Sequence, residues 1–273
     1  MSAQPETTEK TEALAATATT ATAKTATLTE MLHLDLEPVG IFFGNTSARV
    51  DVEADPEKRN CVIPFLMSAA KGKVASMDEA GCTCPGGAVG ACFGDGFTRL
   101  NPNIHKMLSQ GMGDAAPSAV PPMVREGERF FCDEATAMRW RNDMPFSDKA
   151  YPRIVFAPQA RWAEIGEPDL VLVFADADRI SALVTMLGLH NGKAVNALAP
   201  FGAACHSIVY AADQADKPDP CAILGLFDIS QRRSALKDYL TLTMPFAMWE
   251  NLGCDLDKSC LTTHSWRKIE ERL

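Results

Sequence analysis

The chain reads as an α/β (or α+β) protein with mixed sheets and flanking helices. Three observations predict this: β-rich apolar runs alternate with helix-period segments along the chain; "VGIFF" and "LVLVF" are continuously apolar, as in strands buried on both faces; and two stretches resemble each other, which points to two pseudo-symmetric halves.

The elements follow in order. Residues 1–28 are almost wholly Ala, Thr, Glu and Lys, without the large apolar residues whose burial offsets the entropy of ordering, so a disordered tail is expected. Residues 29–273 read as a single globular domain built of two halves, about 29–150 and 151–273. "TEMLHLDLEPVGIFFG" predicts a short helix ending before Pro38 and a strand over 39–43 stopped by Gly44. A helix over 61–71, a short strand near 73–76 and a glycine-rich loop follow. Two helices come next, in "NPNIHKMLSQGMG", with an Asn cap followed by Pro, and in "GERFFCDEATAMRWRNDMP".

The second half opens on the strand "YPRIVFAP". A buried strand then leads into an Asp-capped helix reaching Gly192. "AVNALAP" reads as a strand, "GAACHSIVYAAD" as a helix and "DPCAILGLFD" as a strand. The remainder, from "SQRR" to the C-terminus, reads as mostly helical.

Composition excludes several function classes. Of 273 residues 47% are hydrophobic and 22% charged, values ordinary for a soluble globular protein. The formal net charge is −9 and no Lys/Arg run could neutralise a row of phosphates, so no nucleic-acid partner is expected. No apolar stretch approaches the roughly 18 to 20 residues that span a bilayer, and the N-terminus lacks the apolar core of a secretory signal. The expectation is therefore a cytoplasmic protein without membrane association, and an acidic surface that allows a homo-oligomer. No Walker loop, GxGxxG after a strand, HExxH or GxSxG occurs.

Nine cysteines then stand out, at 61, 82, 84, 92, 132, 205, 221, 254 and 260. A reducing compartment favours ligands, catalysts or buried apolar residues over disulfides. Three of them lie in "AGCTCPGGAVGACFGDGF", residues 80–97, whose six glycines read as a loop rather than a helix or strand. The internal likeness picks out four. "EPVGIFF" from Glu37 echoes "EPDLVLVF" from Glu167, and "CVIPFLMSAAKGK" from Cys61 echoes "CHSIVYAADQADK" from Cys205; each of those helices is followed by a further cysteine with glycine nearby, Cys84 and Cys221. About a pseudo-twofold axis Cys61, Cys84, Cys205 and Cys221 would meet, with helix N-termini lowering their pKa values.

These residues carry a family resemblance. "EPVGIFF", the Cys of "RNCVIPF", "CPGGA", "PDLVLVFADADRISAL", the Cys of "AACHSIV", and "DPCAILGLFDISQRR" ahead of "MPF" are similar to the domain-of-unknown-function family one hundred and sixty-nine, bacterial and archaeal proteins frequent in anaerobes, over roughly residues 30–252. The resemblance implies the same four cysteines and no transferable activity. Cys82, Cys92 and the "AILG" after Cys221 depart from its pattern.

Four thiols suit a soft centre, zinc or an iron-sulfur cluster. Their wide spacing departs from the close pairs of structural zinc, and no ferredoxin-like CxxCxxC run is present. The leading expectation is a [4Fe-4S] cluster on Cys61, Cys84, Cys205 and Cys221, with Cys82 and Cys92 as weaker alternatives, in a protein that passes electrons to a redox partner protein or serves a redox enzyme. An open iron would make the protein itself an enzyme. The alternative is a non-redox binding module, with zinc or no metal, that takes a small anionic ligand near Arg232, Arg233 and His206. The third reading is a thiol-disulfide protein using Cys82 and Cys84. Cys132, Cys254 and Cys260 read as packing or surface thiols.

Overall fold

A computed structural model of the chain describes residues 27–44, 49–117, 120–146, 151–232 and 237–273. The expected tail up to residue 26 and Arg233 lie outside the described residues; Leu28, assigned to that tail by composition, is fully buried on a helical segment over 27–31 (α1).

Among the described residues eight strands form one mixed sheet: β1 (Val39–Phe43), β2 (Val52–Glu53), β3 (Ala75–Asp78), β4 (Arg153–Pro158), β5 (Leu170–Ala175), β6 (Ala197–Leu198), β7 (Ala222–Gly225) and β8 (Leu240–Pro245). Their order is β2-β3-β4-β1-β5-β8-β7-β6. The pairing reads the same from either edge. β2 and β3 are parallel, as are β6 and β7; every other neighbouring pair is antiparallel, and β1 meets β5 at the midline with Gly40 opposite Val171. The α/β expectation holds, and the two halves are visible as this palindrome. In it β4 belongs with β1 to β3, so the midline falls between Pro158 and Leu170.

Period-two alternation sends each central strand's side chains into two cores. Leu170, Leu172 and Phe174 face one side with Ile154, Phe156, Val39 and Ile41; Val171, Val173 and Ala175 face the other with Val155 and Ala157. The first face is covered by α2 (Val62–Ala70), α3 (Pro85–Gly90) and α10 (His206–Ala215). The second is covered by α1, α9 (Ala177–Leu187), α12 (Phe246–Leu252) and α13 (His264–Glu270). The helices α4 (Gly96–Leu100), α5 (Ile104–Leu108), α6 (Pro122–Glu126) and α7 (Glu134–Asp143) lie between β3 and β4 in sequence, within the first half; of these α4, α5 and α7 supply a satellite core against α10 through Val209. Two short helices, α8 (Trp162–Ile165) and α11 (Ile229–Arg232), complete the set.

Several expectations are corrected. The glycine-rich stretch holds the helix α3, capped by Cys84 with Pro85 at its first position, a start signal that outweighs three helical glycines. The stretch read as helical after residue 229 contains β8, where Leu242 and Met244 enter one core while Thr241 and Thr243 face α10. The helix expected to reach Gly192 ends at Leu187 with Gly188 as its cap. The first of the two connecting helices starts after Asn103 rather than Asn101, and "AVNALAP" forms only a two-residue strand.

Candidate functional site

Cys61 and Cys205 are the caps that open α2 and α10, and Cys84 opens α3. α3 is wedged between the other two, and its glycines are the reason it fits. A Cβ on Gly87 would lie 3.2 Å from Val62 Cγ2 and 3.4 Å from Cys82 Sγ; one on Gly90 would lie 2.4 Å from the Cys205 carbonyl oxygen. The glycines of this six-residue helix let the three cysteine-bearing segments approach one another.

Hydrogen bonds define the local order. The Gly87 N–H donates to Cys84 Sγ at 3.4 Å, and Cys205 Sγ sits 3.8 Å from the Gly86 carbonyl. Cys82 Sγ leans on the Cys84 carbonyl at 3.9 Å. The Cys61 thiol donates to the Cys84 sulfur. That bond is the largest cause holding Cys84 down at about 6, assisted by the Gly87 and Gly86 amides and by the charge of Arg59, against the cost of burial. The Cys61 thiol is pushed up, first because it is that donor and then by burial and the neighbouring thiols. Of the two sulfurs, Cys84 favours the charged form and Cys61 the protonated one. Burial and then the charge of Cys84 push Cys82 up to about 12, and burial raises Cys205 further, followed by the charges of Cys84, Cys82 and Asp228.

Asp228 enters through the palindrome. It follows β7 and precedes α11, as Cys84 follows β3 and precedes α3. Its carboxylate accepts from the backbone N–H of Ser230 at 2.8 Å and from the hydroxyl of the same residue at 2.7 Å. Its position after β7 carries no motif in the sequence that marks it.

Cys221 stands apart from the cluster. Its N–H donates to Gln214 Oε1 at 3.0 Å in the last turn of α10, and its thiol lies 3.7 Å from the Val195 carbonyl. Cys205 caps the opposite end of that helix, so about 14 Å of helix rise separates the two positions. The repeat places a cysteine one strand too early: in the second half the charged residue near Cys205 and His206 is Asp228, which comes after β7, not before it. Cys92 is fully buried in the satellite core and behaves as a small apolar residue. Cys132 is exposed, Cys254 bonds the Glu250 carbonyl within its own helix and turn, and Cys260 packs on α9.

Arg232, a candidate anion holder, donates to the carbonyls of Tyr239 and Lys237 and so ties α11 to the approach of β8. His206, by contrast, is buried at the start of α10 beside Gly86 and Gly202, with Phe97 and Trp140 at 6.1 and 6.0 Å between ring centroids. Burial lowers it to about 4, so the ring is neutral.

Thiols are soft donors by type, three of them helix caps and a fourth at Cys82, with the Gly87 amide turned to the Cys84 sulfur. Among the described residues no three His, Cys, Asp or Glu side chains converge as the ligands of one metal ion do. None of the described helices is long and apolar enough to cross a membrane.

No curated protein and no solved structure matches the chain. Residues 27–253 match the family DUF169, described as uncharacterised ArCR, and the chain belongs to that family.

Proposed function

We propose that this member of DUF169 is an iron-sulfur protein whose [4Fe-4S] cluster is held by Cys61, Cys84 and Cys205, with Cys82 as the fourth thiol, and that it passes electrons to a redox partner protein. One observation carries the reading: cysteines capping three helices, drawn from both halves, sit within electrostatic reach of one another, and Cys84 and Cys205 also of Cys82. At Cys84 the neighbouring Cys61 thiol and the glycine amides favour thiolate over thiol, which is the form that binds iron. Such a cluster, when bound, supplies reversible one-electron chemistry. The chain's own residues contribute the negative sulfur at Cys84, the dry surroundings of Cys82 and Cys205, and amide donors at Gly86 and Gly87.

Purification without oxygen, with iron, acid-labile sulfide and zinc counted per chain, tests it. About four iron and four sulfide are expected for this cluster type. Zinc alone, or neither metal nor sulfide, would refute it.

A second reading is favoured by the Cys61–Cys84 hydrogen bond: a redox-active dithiol in which Cys84 attacks and Cys61 resolves. It re-pairs the dithiol expected at Cys82 and Cys84. In metal-free protein it predicts that a mild oxidant joins Cys61 to Cys84 and leaves Cys82 free.

A further inference from the structure

A cavity of about 420 Å³ opens beside the satellite core, lined by Gln110, Arg129, Phe131 and Cys132. That volume suits a small organic molecule. Its frame is tightly built. The N–H groups of Glu128, Arg129 and Phe130 donate to the carbonyls of Met107, Ser109 and Leu108 at 2.7, 3.0 and 3.0 Å, which fastens this segment to the end of α5. Where the two segments cross, a Cβ on Gly127 would lie 2.2 Å from the Ser109 carbonyl oxygen, and one on Gly111 would lie 2.4 Å from the Arg125 carbonyl oxygen.

Arg129 is held there against its preference. Its φ is +55°, a left-handed conformation unfavourable for a residue with a Cβ. Such backbone persists where the surroundings over-determine it, and it gathers at ligand-binding positions. Among the described residues the guanidinium has no hydrogen bond or ion pair in return. Gln110 Nε2 donates to the Cys132 carbonyl at 2.9 Å, which leaves Oε1 as an acceptor. Phe131 supplies an aromatic wall, with its ring 5.5 Å from Trp140 and 5.7 Å from Phe201 between centroids. Among the described residues no carboxylate lines the cavity: Asp133 caps α7 through the Thr136 N–H at 2.7 Å, and Glu134 meets His105 at 3.2 Å.

We infer that this cavity is a binding site for a small aromatic acid that also carries an O–H or N–H donor. Its carboxylate pairs with the Arg129 guanidinium, whose parallel N–H groups match the two oxygens. Its ring lies along Phe131, and its donor reaches Gln110 Oε1. The site is separate from the thiol centre, so either assignment can fail without the other.

The probe is 4-hydroxybenzoate, titrated into the full-length chain and followed by backbone amide NMR. Two controls accompany it: 4-hydroxybenzyl alcohol, which lacks the charge, and acetate, which lacks the ring. The acid is expected to shift the signals of residues 110 and 129–132 with a dissociation constant on the order of 1 mM. Both controls should bind at least about tenfold more weakly. Arg129→Gln should weaken the acid by about the same factor. Arg129→Gly should do so without lowering the midpoint of denaturant unfolding, because glycine adopts this φ free of the Cβ penalty. Absence of shifts at those residues with the acid in large excess would overturn the inference, as would equal binding of the alcohol or unchanged affinity in both variants. The comparison of the three probes on the wild-type chain decides the matter even where a variant fails to fold.

Discussion

Cys61 and Cys205 occupy equivalent places in the two halves: each caps the helix that leads into the inner strand of a parallel edge pair, β3 in one half and β7 in the other. Both helices cover the same face of the sheet. A twofold through the midline between β1 and β5 brings their starts together, and α3, inserted after β3, carries Cys84 between them. The site is thus a product of the palindrome plus one insertion.

In metal-free protein, Cys84 is expected to react with iodoacetamide along a titration centred near pH 6, because the Cys61 thiol and two amides stabilise its thiolate. Cys61→Ala should move that midpoint up by one unit or more, while Cys61→Ser, which retains a donor, moves it less. Peptide mapping of the alkylated sites gives the readout, and an unchanged midpoint in Cys61→Ala would remove the hydrogen bond from the account.

Gly90→Ala sets helix propensity against packing. Alanine gains up to about 1 kcal/mol in a helix, but its Cβ would meet the Cys205 carbonyl oxygen at 2.4 Å and Cys205 Cβ at 2.8 Å. Overpacking costs of about 1–3 kcal/mol win. Denaturant unfolding should show a lower midpoint with an unchanged slope, and a stabilised variant would mean that α3 and α10 do not touch there.

The acid limb of stability should carry a His206 contribution. Its folded pKa, about 4, lies below the ordinary 6.5, so between these values the unfolded chain binds more protons and stability falls as pH drops. The loss is on the order of 3 kcal/mol by pH 4, and it is absent above pH 6.5. His206→Met should flatten this part of the stability profile; a wild-type profile flat from pH 6.5 to 4 would show the ring to be solvated.

Much of the fold was legible because period-two runs and caps are local signals. β1, β5 and the Asp176-capped start of α9 fall where the sequence puts them. β8 was missed although "LTLTMP" alternates, since Thr241 and Thr243 turn inward to α10, with Thr243 bonding Ser207, instead of outward to water. α3 was missed because glycine argues against helix on propensity; here tertiary contact with Val62 and Cys205 demands it. At the site, the caps Cys61 and Cys205 could be read from the repeat. Cys221 misled, since sequence alignment of the halves matches residue types, whereas the fold matches positions after equivalent strands, where Asp228 stands.

The most direct test is the iron and sulfide content of anaerobically prepared Cys205→Ser and Cys221→Ser beside the wild-type chain. The account predicts that Cys205→Ser loses the cluster while Cys221→Ser, altered at the far end of α10, keeps it in full. Loss in Cys221→Ser with retention in Cys205→Ser would contradict the placement of the centre at the three helix starts.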